Sequence, residues 1–406
     1  MDDDDILSQG DDREPSPWPR RLGVIAVAVA VAVGGIVYLV QPHGRPAVSA
    51  AATPTVSPTP ALTPGPVASP EFIRLPPGPN GIVGQTTPWE DSVRLPVSGA
   101  QPAWFSPATG HSETIGGLPA DSAGYQFTRV GGGWAVQANG SFCGGGDCDT
   151  APSPVWYLAN DAQSAIPIGT ADLVAPADNA NAMWLTSYFP TANNVTTGSM
   201  AREVSTTGAQ LGPSVKLPRG YVIDRATDRG LLLVSAGKQS GDSVYTLYNP
   251  SSAKATRTFE NVIAASPTEV AWTSRCDPTT CRVEVLDLAT GKQTGIGLPA
   301  GSSAAGASFS PSGRLLALQL SYGLDGALAM RLDVATVASG RLTEVPRTSV
   351  SSDALFAFGW PVQSDSLIAE FTFMPTIQLA SWQLGSSRLA VSVLKPGRDQ
   401  ASLVVG

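Results

Sequence analysis

Histidine is almost missing from this chain. Only His43 and His111 occur among 406 residues. Imidazole is the commonest general base and a frequent zinc ligand, so a histidine-dependent hydrolase or a histidine-rich metal site has almost nothing to be built from. Charge is also scarce, with Asp, Glu, Lys and Arg making up 14% of the residues and a net charge of −8. Seven acids and three arginines fall within residues 1–21, which leaves the longer remainder close to neutral. No basic stripe is present, and this argues against a nucleic-acid partner. Cysteine numbers four, and none stands directly after the N-terminal apolar run, which excludes a lipoprotein anchor.

Glycine and proline, by contrast, are plentiful, at 42 and 35 residues, and there are nine tryptophans. Many short strands joined by Gly/Pro turns fit that profile better than helices do. Before the strands begin, the composition changes three times. Residues 1–21 are acidic, then prolyl, and hold no core-forming pattern, so they are expected to be a disordered tail. Leu22–Val40 is an uncharged apolar stretch of 19 residues. As a helix it spans about 28 Å, the thickness of the hydrocarbon core. Its Val/Ala alternation imitates a strand, but lipid requires backbone hydrogen bonds to close within the segment, so a transmembrane helix is expected. Arg20 and Arg21 at its leading edge place the N-terminus in the cytoplasm and the bulk of the chain outside. The run is longer than the core of a cleaved signal peptide, which favours an uncleaved signal anchor in the cell membrane. Residues 41–71 are rich in Pro, Ala, Thr and Ser, an extended linker that holds the rest away from the membrane.

From about Phe72 to the C-terminus the chain is periodic. Arg282–Pro299, RVEVLDLATGKQTGIGLP, is the clearest copy of a hairpin that recurs at Ala103–Pro119, Val155–Gly169, Ala201–Pro218, Val244–Asn261, Met330–Pro346 and Leu379–Pro396. Between these hairpins lie more apolar pairs of runs, such as Tyr125–Ala138, Tyr221–Ser235, Val262–Ser274 and Ala307–Gln319. Near-continuous apolar runs suit strands buried on both faces. A repeat of about 40–50 residues is the period of four-stranded propeller blades. The expected fold is therefore all-β, a seven-bladed β-propeller with six blades as the alternative, covering residues 72–406. The inner pair before Ala103 is weak. The strand-like ASLVV at Ala401–Val405 is expected to complete the first blade and join the chain ends, which removes an open sheet edge.

Phe309-Ser310-Pro311-Ser312-Gly313-Arg314-Leu315-Leu316-Ala317 resembles the F-S-P-D-G-x-x-L-A signature of TolB-type and WD-repeat-like propellers. Asp287-Leu288-Ala289-Thr290-Gly291-Lys292 resembles the outer turn of the same group. The resemblance implies a propeller and a tendency to bind other molecules, and no single activity.

Cys143–Cys148 and Cys276–Cys281 share one spacing, and each pair follows a Trp-containing strand. Two local disulfides are expected in an oxidising compartment. A zinc site of all four is disfavoured, since the pairs fall in the second and fifth blades and histidine partners are missing. Trp104, Trp134, Trp156, Trp184, Trp272, Trp360 and Trp382 are expected in the core. Asp172, Asp178, Asp224, Asp228, Asp287 and Asp333 fall at strand ends or turns, where turn chemistry explains each, though a pair meeting in the channel would make an acid/base or cation site. No residue is assigned to catalysis, to a cofactor or to a metal. The expected function is a non-enzymatic, membrane-tethered binding or scaffold module for a cell-envelope component or protein partner. The alternative is an extracytoplasmic hydrolase or lactonase-like propeller using carboxylates and a cation in the central channel.

Overall fold

The computed structural model describes Trp89 and residues 93–403, apart from 139–151, 191–195, 236–243, 395–401 and breaks of one to four residues. The expected tail, membrane helix and linker lie outside the described residues, as do Cys143 and Cys148. Among the described residues there is no helix.

The strands form seven antiparallel sheets. Blade 1 begins with β1 (Leu95–Ser98), β2 (Ala103–Ser106) and β3 (His111–Thr114). Blade 2 is β4 (Tyr125–Val130), β5 (Gly133–Ala138), β6 (Ser153–Ala159) and β7 (Ile166–Ala171). Blade 3 is β8 (Leu173–Pro176), β9 (Ala182–Pro190), β10 (Thr196–Ser205) and β11 (Val215–Leu217). Blade 4 is β12 (Tyr221–Thr227), β13 (Gly230–Ser235), β14 (Val244–Asn249) and β15 (Lys254–Glu260). Blade 5 is β16 (Val262–Ala265), β17 (Glu269–Thr273), β18 (Arg282–Asp287) and β19 (Gln293–Gly297). Blade 6 is β20 (Ser302–Phe309), β21 (Leu315–Leu324), β22 (Ala327–Thr336) and β23 (Arg341–Glu344), with β24 (Val350–Ser351) added beside β22. Blade 7 is β25 (Leu355–Gly359), β26 (Ser366–Phe373), β27 (Thr376–Gln383) and β28 (Ala390–Leu394).

In blades 2 to 7 the first strand is innermost and the fourth outermost. The inner strands of neighbouring blades pack together, β4 on β8, β8 on β12, β16 on β20 and β20 on β25. The outer strands are the exposed ones, as in β3 and β15. The last strand, β29 (Ser402–Leu403), returns to pair with β1, Val97 opposite Leu403 and Ser98 opposite Ser402. It takes the innermost place of blade 1, so the ring closes by joining the two ends of the chain. The fold is thus all-β with seven blades, not six, and each of the seven hairpins read from the sequence is the outer pair of one blade.

The core is a ring of seven apolar clusters, one between each pair of neighbouring blades. The period of two along a strand divides each inner run between two of them. In β13, Leu231 and Leu233 face blade 3 while Leu232 and Val234 face blade 5. In β21, Leu315 and Ala317 face blade 7 while Leu316, Leu318 and Leu320 face blade 5. This is why the second strands are apolar at nearly every position. Each leucine so buried contributes about 1.5–3 kcal/mol. Trp104, Trp134, Trp156, Trp184, Trp360 and Trp382 are buried, as expected. Trp272 is half-buried, edged by Phe259 at 5.5 Å between ring centroids and by the Arg257 guanidinium at 5.8 Å.

The turns follow local chemistry. Asp287 Oδ1 accepts the Thr290 amide at 2.9 Å, and Gly291 takes a φ of 73° that suits glycine. In the Ser310–Leu315 turn, Ser310 Oγ accepts the Leu315 amide at 3.2 Å.

Candidate functional site: the charged end of the central channel

The inner strands line the channel, and their composition sets its chemistry. Among the described residues, β8, β16, β20, β25 and β29 contribute no acid or base. The ionisable side chains other than tyrosine are Arg129 on β4 and Asp224 and Arg225 on β12. The described inner strands therefore carry two cations and one anion, Arg129 on the face of β4 turned to blade 1 and Arg225 on the face of β12 turned to blade 5.

Ladder register places these groups at one end of the ring. Arg129 lies opposite Trp134, one step from the turn-closing pair Val130–Gly133. Arg225 lies opposite Leu232, two steps from the turn-closing pair Thr227–Gly230. The two arginines are thus at nearly the same depth, within about one 3.3 Å rise, near the turn that leads from the first to the second strand of each blade. Trp360, which follows β25, marks the same end in blade 7.

A β-bulge creates the Asp224 position. The pairing of β12 with β13 skips between Ile223 and Arg225, so Asp224 is the extra residue. The inner strands of blades 5, 6 and 7 slip in the same way, between Val262 and Ala264, Ala304 and Gly306, and Leu355 and Ala357. A bulge bends a strand and re-aims one side chain. Blade 4 is where that side chain is charged.

Arg129 donates a hydrogen bond to the Trp360 carbonyl. Blades 2 and 7 are separated by blade 1, so this hydrogen bond spans the inner edge of blade 1. Burial, helped by the Arg225 charge, lowers the Arg129 pKa to about 10. Asp224 and Arg225 form a long ion pair, 3.8 Å from Oδ2 to Nε, with side chains 14% and 28% exposed. Burial raises the Asp224 carboxyl and lowers the Arg225 guanidinium, and their mutual attraction opposes both shifts. The Arg225 Nε is buried with no hydrogen-bond partner. Tyr245 on β14 sits beside this pair, and its phenol is pushed up by burial and by the Asp224 charge.

The other acids noted in the sequence lie elsewhere. Asp172, before β8, accepts the Tyr188 amide at 2.7 Å. Asp178 acts electrostatically on Glu203. The Asp228 amide donates to the Pro267 carbonyl, joining blades 4 and 5. Asp333 belongs to β22, where Arg331 grips it with Nε–Oδ1 at 2.7 Å and a second nitrogen on Oδ2 at 2.8 Å, while Glu344 takes the same guanidinium at 3.1 Å. Burial raises the Asp333 carboxyl. Burial also works to lower Arg331, but the hydrogen-bonded Asp333 outweighs it and the net shift is upward. The two shifts differ in kind because Asp333 is 2% exposed and Arg331 19%. Among the described residues no three His, Cys, Asp or Glu side chains converge as a metal ligand set. The exposed large apolar side chains are Ile166, Leu211 and Leu384, so the described surface presents no exposed aromatic patch.

Cys276 and Cys281 are joined as a disulfide in the connection between β17 and β18 of blade 5. It clamps a loop and takes no part in the channel. Arg129 and Arg225 were not singled out in the sequence. The signal for them is an arginine inside an otherwise apolar inner strand, YQFTRV and YVIDRAT.

The class defined by this geometry is a closed seven-bladed β-propeller. No protein-family model matches the chain, and no curated protein matches it. Solved structures do match. A prolyl endopeptidase is similar with a TM-score of 0.51 and 13% identity, over 77% of this chain and 50% of that one. TolB from Acinetobacter baumannii is similar with a TM-score of 0.36 and 13% identity, over 64% of this chain and 66% of that one. A putative 6-phosphogluconolactonase from Bacteroides fragilis is similar with a TM-score of 0.39 and 14% identity, over 78% and 100%. The chain spans half the length of the endopeptidase it matches. At such identities the likeness is one of fold.

Proposed function

We propose that this chain is a membrane-tethered, extracytoplasmic propeller that binds a cell-envelope component or a protein partner and catalyses no reaction. The observation that carries this reading is the charge of the inner strands. A lactonase-like or hydrolytic site built on a channel-bound cation needs converging carboxylates. Among the described residues the inner strands instead supply Arg129 and Arg225 and, as their one acid, Asp224. A metal ion there would meet an excess of its own sign. The tether reading rests on the 19-residue uncharged run Leu22–Val40 with Arg20 and Arg21 before it, followed by a Pro/Thr-rich spacer.

The test uses the full-length chain purified in detergent, as bait for solubilised cell envelopes, with metal analysis of the same preparation. Specific retention of one envelope component, no stoichiometric metal and no turnover of a lactone and ester panel is the expected result. Bound calcium with turnover and no retained partner overturns it. Protease added to intact spheroplasts is expected to digest the propeller and spare the first 20 or so residues. The reverse protection overturns the orientation.

A further inference from the structure

Among the described residues the outer strand of each blade ends its sheet without a further partner, and these seven edges are not alike. β15 is the longest of them, at seven residues, and every position but Phe259 is exposed. Its ladder partners set its faces. Lys254 lies opposite Asn249, Arg257 opposite Leu247 and Phe259 opposite Tyr245, with Thr256 the extra residue of a bulge. Leu247 and Tyr245 belong to the cluster between blades 4 and 5, so Lys254, Arg257 and Phe259 face blade 5. Across from them, Trp272 on β17 packs on the same cluster and pairs with Glu284 on β18. Trp272, Glu284 and Arg282 therefore face blade 4. The blades diverge outward, so these two faces form a furrow whose floor is Phe259 and Trp272.

The furrow carries an excess of positive charge. Lys254 and Arg257 are exposed, and among the described residues neither meets an acid within ion-pair distance. Arg282 and Glu284 pair at 3.3 Å, and Glu284 also accepts the Gln293 side-chain amide at 3.2 Å. Glu284 is 15% exposed and Arg282 58%, so the acid is tucked in while the cations stand out. Glu260, the acid of β15, lies one step beyond Phe259 and is turned to the other face. Three cations thus stand over one acid. Arg257 is also held in place. Its guanidinium lies 5.0 Å from the Phe259 ring centroid and 5.8 Å from that of Trp272, and the two rings are 5.5 Å apart. Contact with both rings orients the planar fork, which limits the ordering cost of binding a carboxylate. Beside it, the free edge of β15 offers unpaired backbone N–H and C=O groups. A strand added there gains main-chain hydrogen bonds, and its alternate side chains fall over the furrow. Acids at every second position of that strand would meet Lys254 and Arg257, and opposite charges across a ladder attract.

We propose that the furrow between blades 4 and 5 is a docking site for an extended acidic segment of a partner protein, which joins the edge of β15 and sets a carboxylate on Arg257. This rests on the binding-module reading and names the kind of partner that the module takes.

The test is fluorescence polarisation of the full-length chain in detergent with a labelled peptide of alternating Glu and Thr, as long as β15. Saturable binding is expected, weakening as salt is raised, because exposed charges are screened. Arg257→Glu and Lys254→Glu are each expected to weaken binding about tenfold or more, with circular dichroism confirming that each variant is folded. Arg341→Gln, on the outer strand of blade 6, is expected to leave binding unchanged. Two further peptides carry N-methyl groups on one or the other set of alternate amides. One is expected to lose binding and the other to keep it, because only one set points at β15. No saturation by about 1 mM, the weak end of specific recognition, overturns the proposal. Equal affinity of wild type and Arg257→Glu also overturns it, as does equal affinity of the two methylated peptides. Binding of inorganic polyphosphate and not of the peptide overturns it too. Capture of the envelope component by wild type and Arg257→Glu alike, with no peptide bound by either, overturns the furrow and leaves the binding-module reading standing. Peptide binding by a wild-type chain that retains no envelope component supports the furrow and counts against that reading.

Discussion

The Arg129 guanidinium donates a hydrogen bond to the carbonyl oxygen of Trp360, joining the inner edge of blade 2 to that of blade 7. Blade 1 lies between them, and its innermost strand is the C-terminal β29. The point where the ring is closed by the chain ends is thus bracketed by a contact that spans it. Two devices of different kinds hold one seam, a strand pairing and a side-chain tether.

Removing Ala401–Gly406 takes away β29 and leaves β1 as an open edge. Two residue pairs of ladder and their packing are lost, a destabilisation of about 1–3 kcal/mol. Thermal unfolding should show a lower midpoint, and sedimentation should show self-association through the exposed edge. An unchanged midpoint would reject closure by this strand.

Asp333 and Arg331 form a bidentate pair on β22, with the Arg331 guanidinium also 5.4 Å from the Tyr322 ring centroid. Asp333→Ala leaves a half-buried guanidinium with Glu344 alone, and the expected cost is about 3–5 kcal/mol. Replacing both partners by Met and Leu should cost much less, because no charge is then stranded. Denaturant unfolding of the single and double variants decides between these outcomes. Equal losses would mean that the pair acts through packing.

The Cys276–Cys281 bond closes a short loop, with the partners five residues apart in sequence. The loop-entropy relation gives about 2 kcal/mol for so short a ring. Reduction, or Cys276→Ser with Cys281→Ser, should lower the melting midpoint by a few degrees. Peptide mapping without reduction should recover this pair together with Cys143–Cys148. Recovery of a pair that joins blades 2 and 5 would contradict the local assignment.

Acid should not weaken the fold in the usual way. Burial raises the carboxyls of Asp172, Asp224 and Asp333 above their ordinary value of 3.8. Glu203 moves the same way, through burial and the Asp178 charge. A raised carboxyl binds its proton more tightly in the folded chain than in the unfolded one. Stability from these groups therefore falls as pH rises through the window above the unfolded value, and returns as pH falls back through it. Asp287 is shifted down by the Thr290 amide, but it is partly exposed at a turn and screened. The melting midpoint is expected to hold or rise between pH 7 and pH 5. A steady fall over that range would contradict these directions, and Asp333→Asn should remove part of any rise.

The local chemistry of the sequence determined the blades. Seven outer hairpins were legible because each turn is specified by its own residues, as Asp287, Thr290 and Gly291 show. The inner runs were legible because strands buried on both faces lose their polar positions, as in Leu231–Val234. The leftover strand at the C-terminus was legible as the closing piece because an open edge needs a partner. The site was legible only in fragments. Asp224 was noted as an acid at a strand end, yet what aims it is a one-residue slip against β13, and a slip belongs to the pairing of two strands rather than to either one. Arg129 and Arg225 are nearly a hundred positions apart, in strands with no shared pattern. Only ring closure brings them to one depth of one channel. The charge balance of that channel sums side chains from separate blades, so tertiary structure alone decides it.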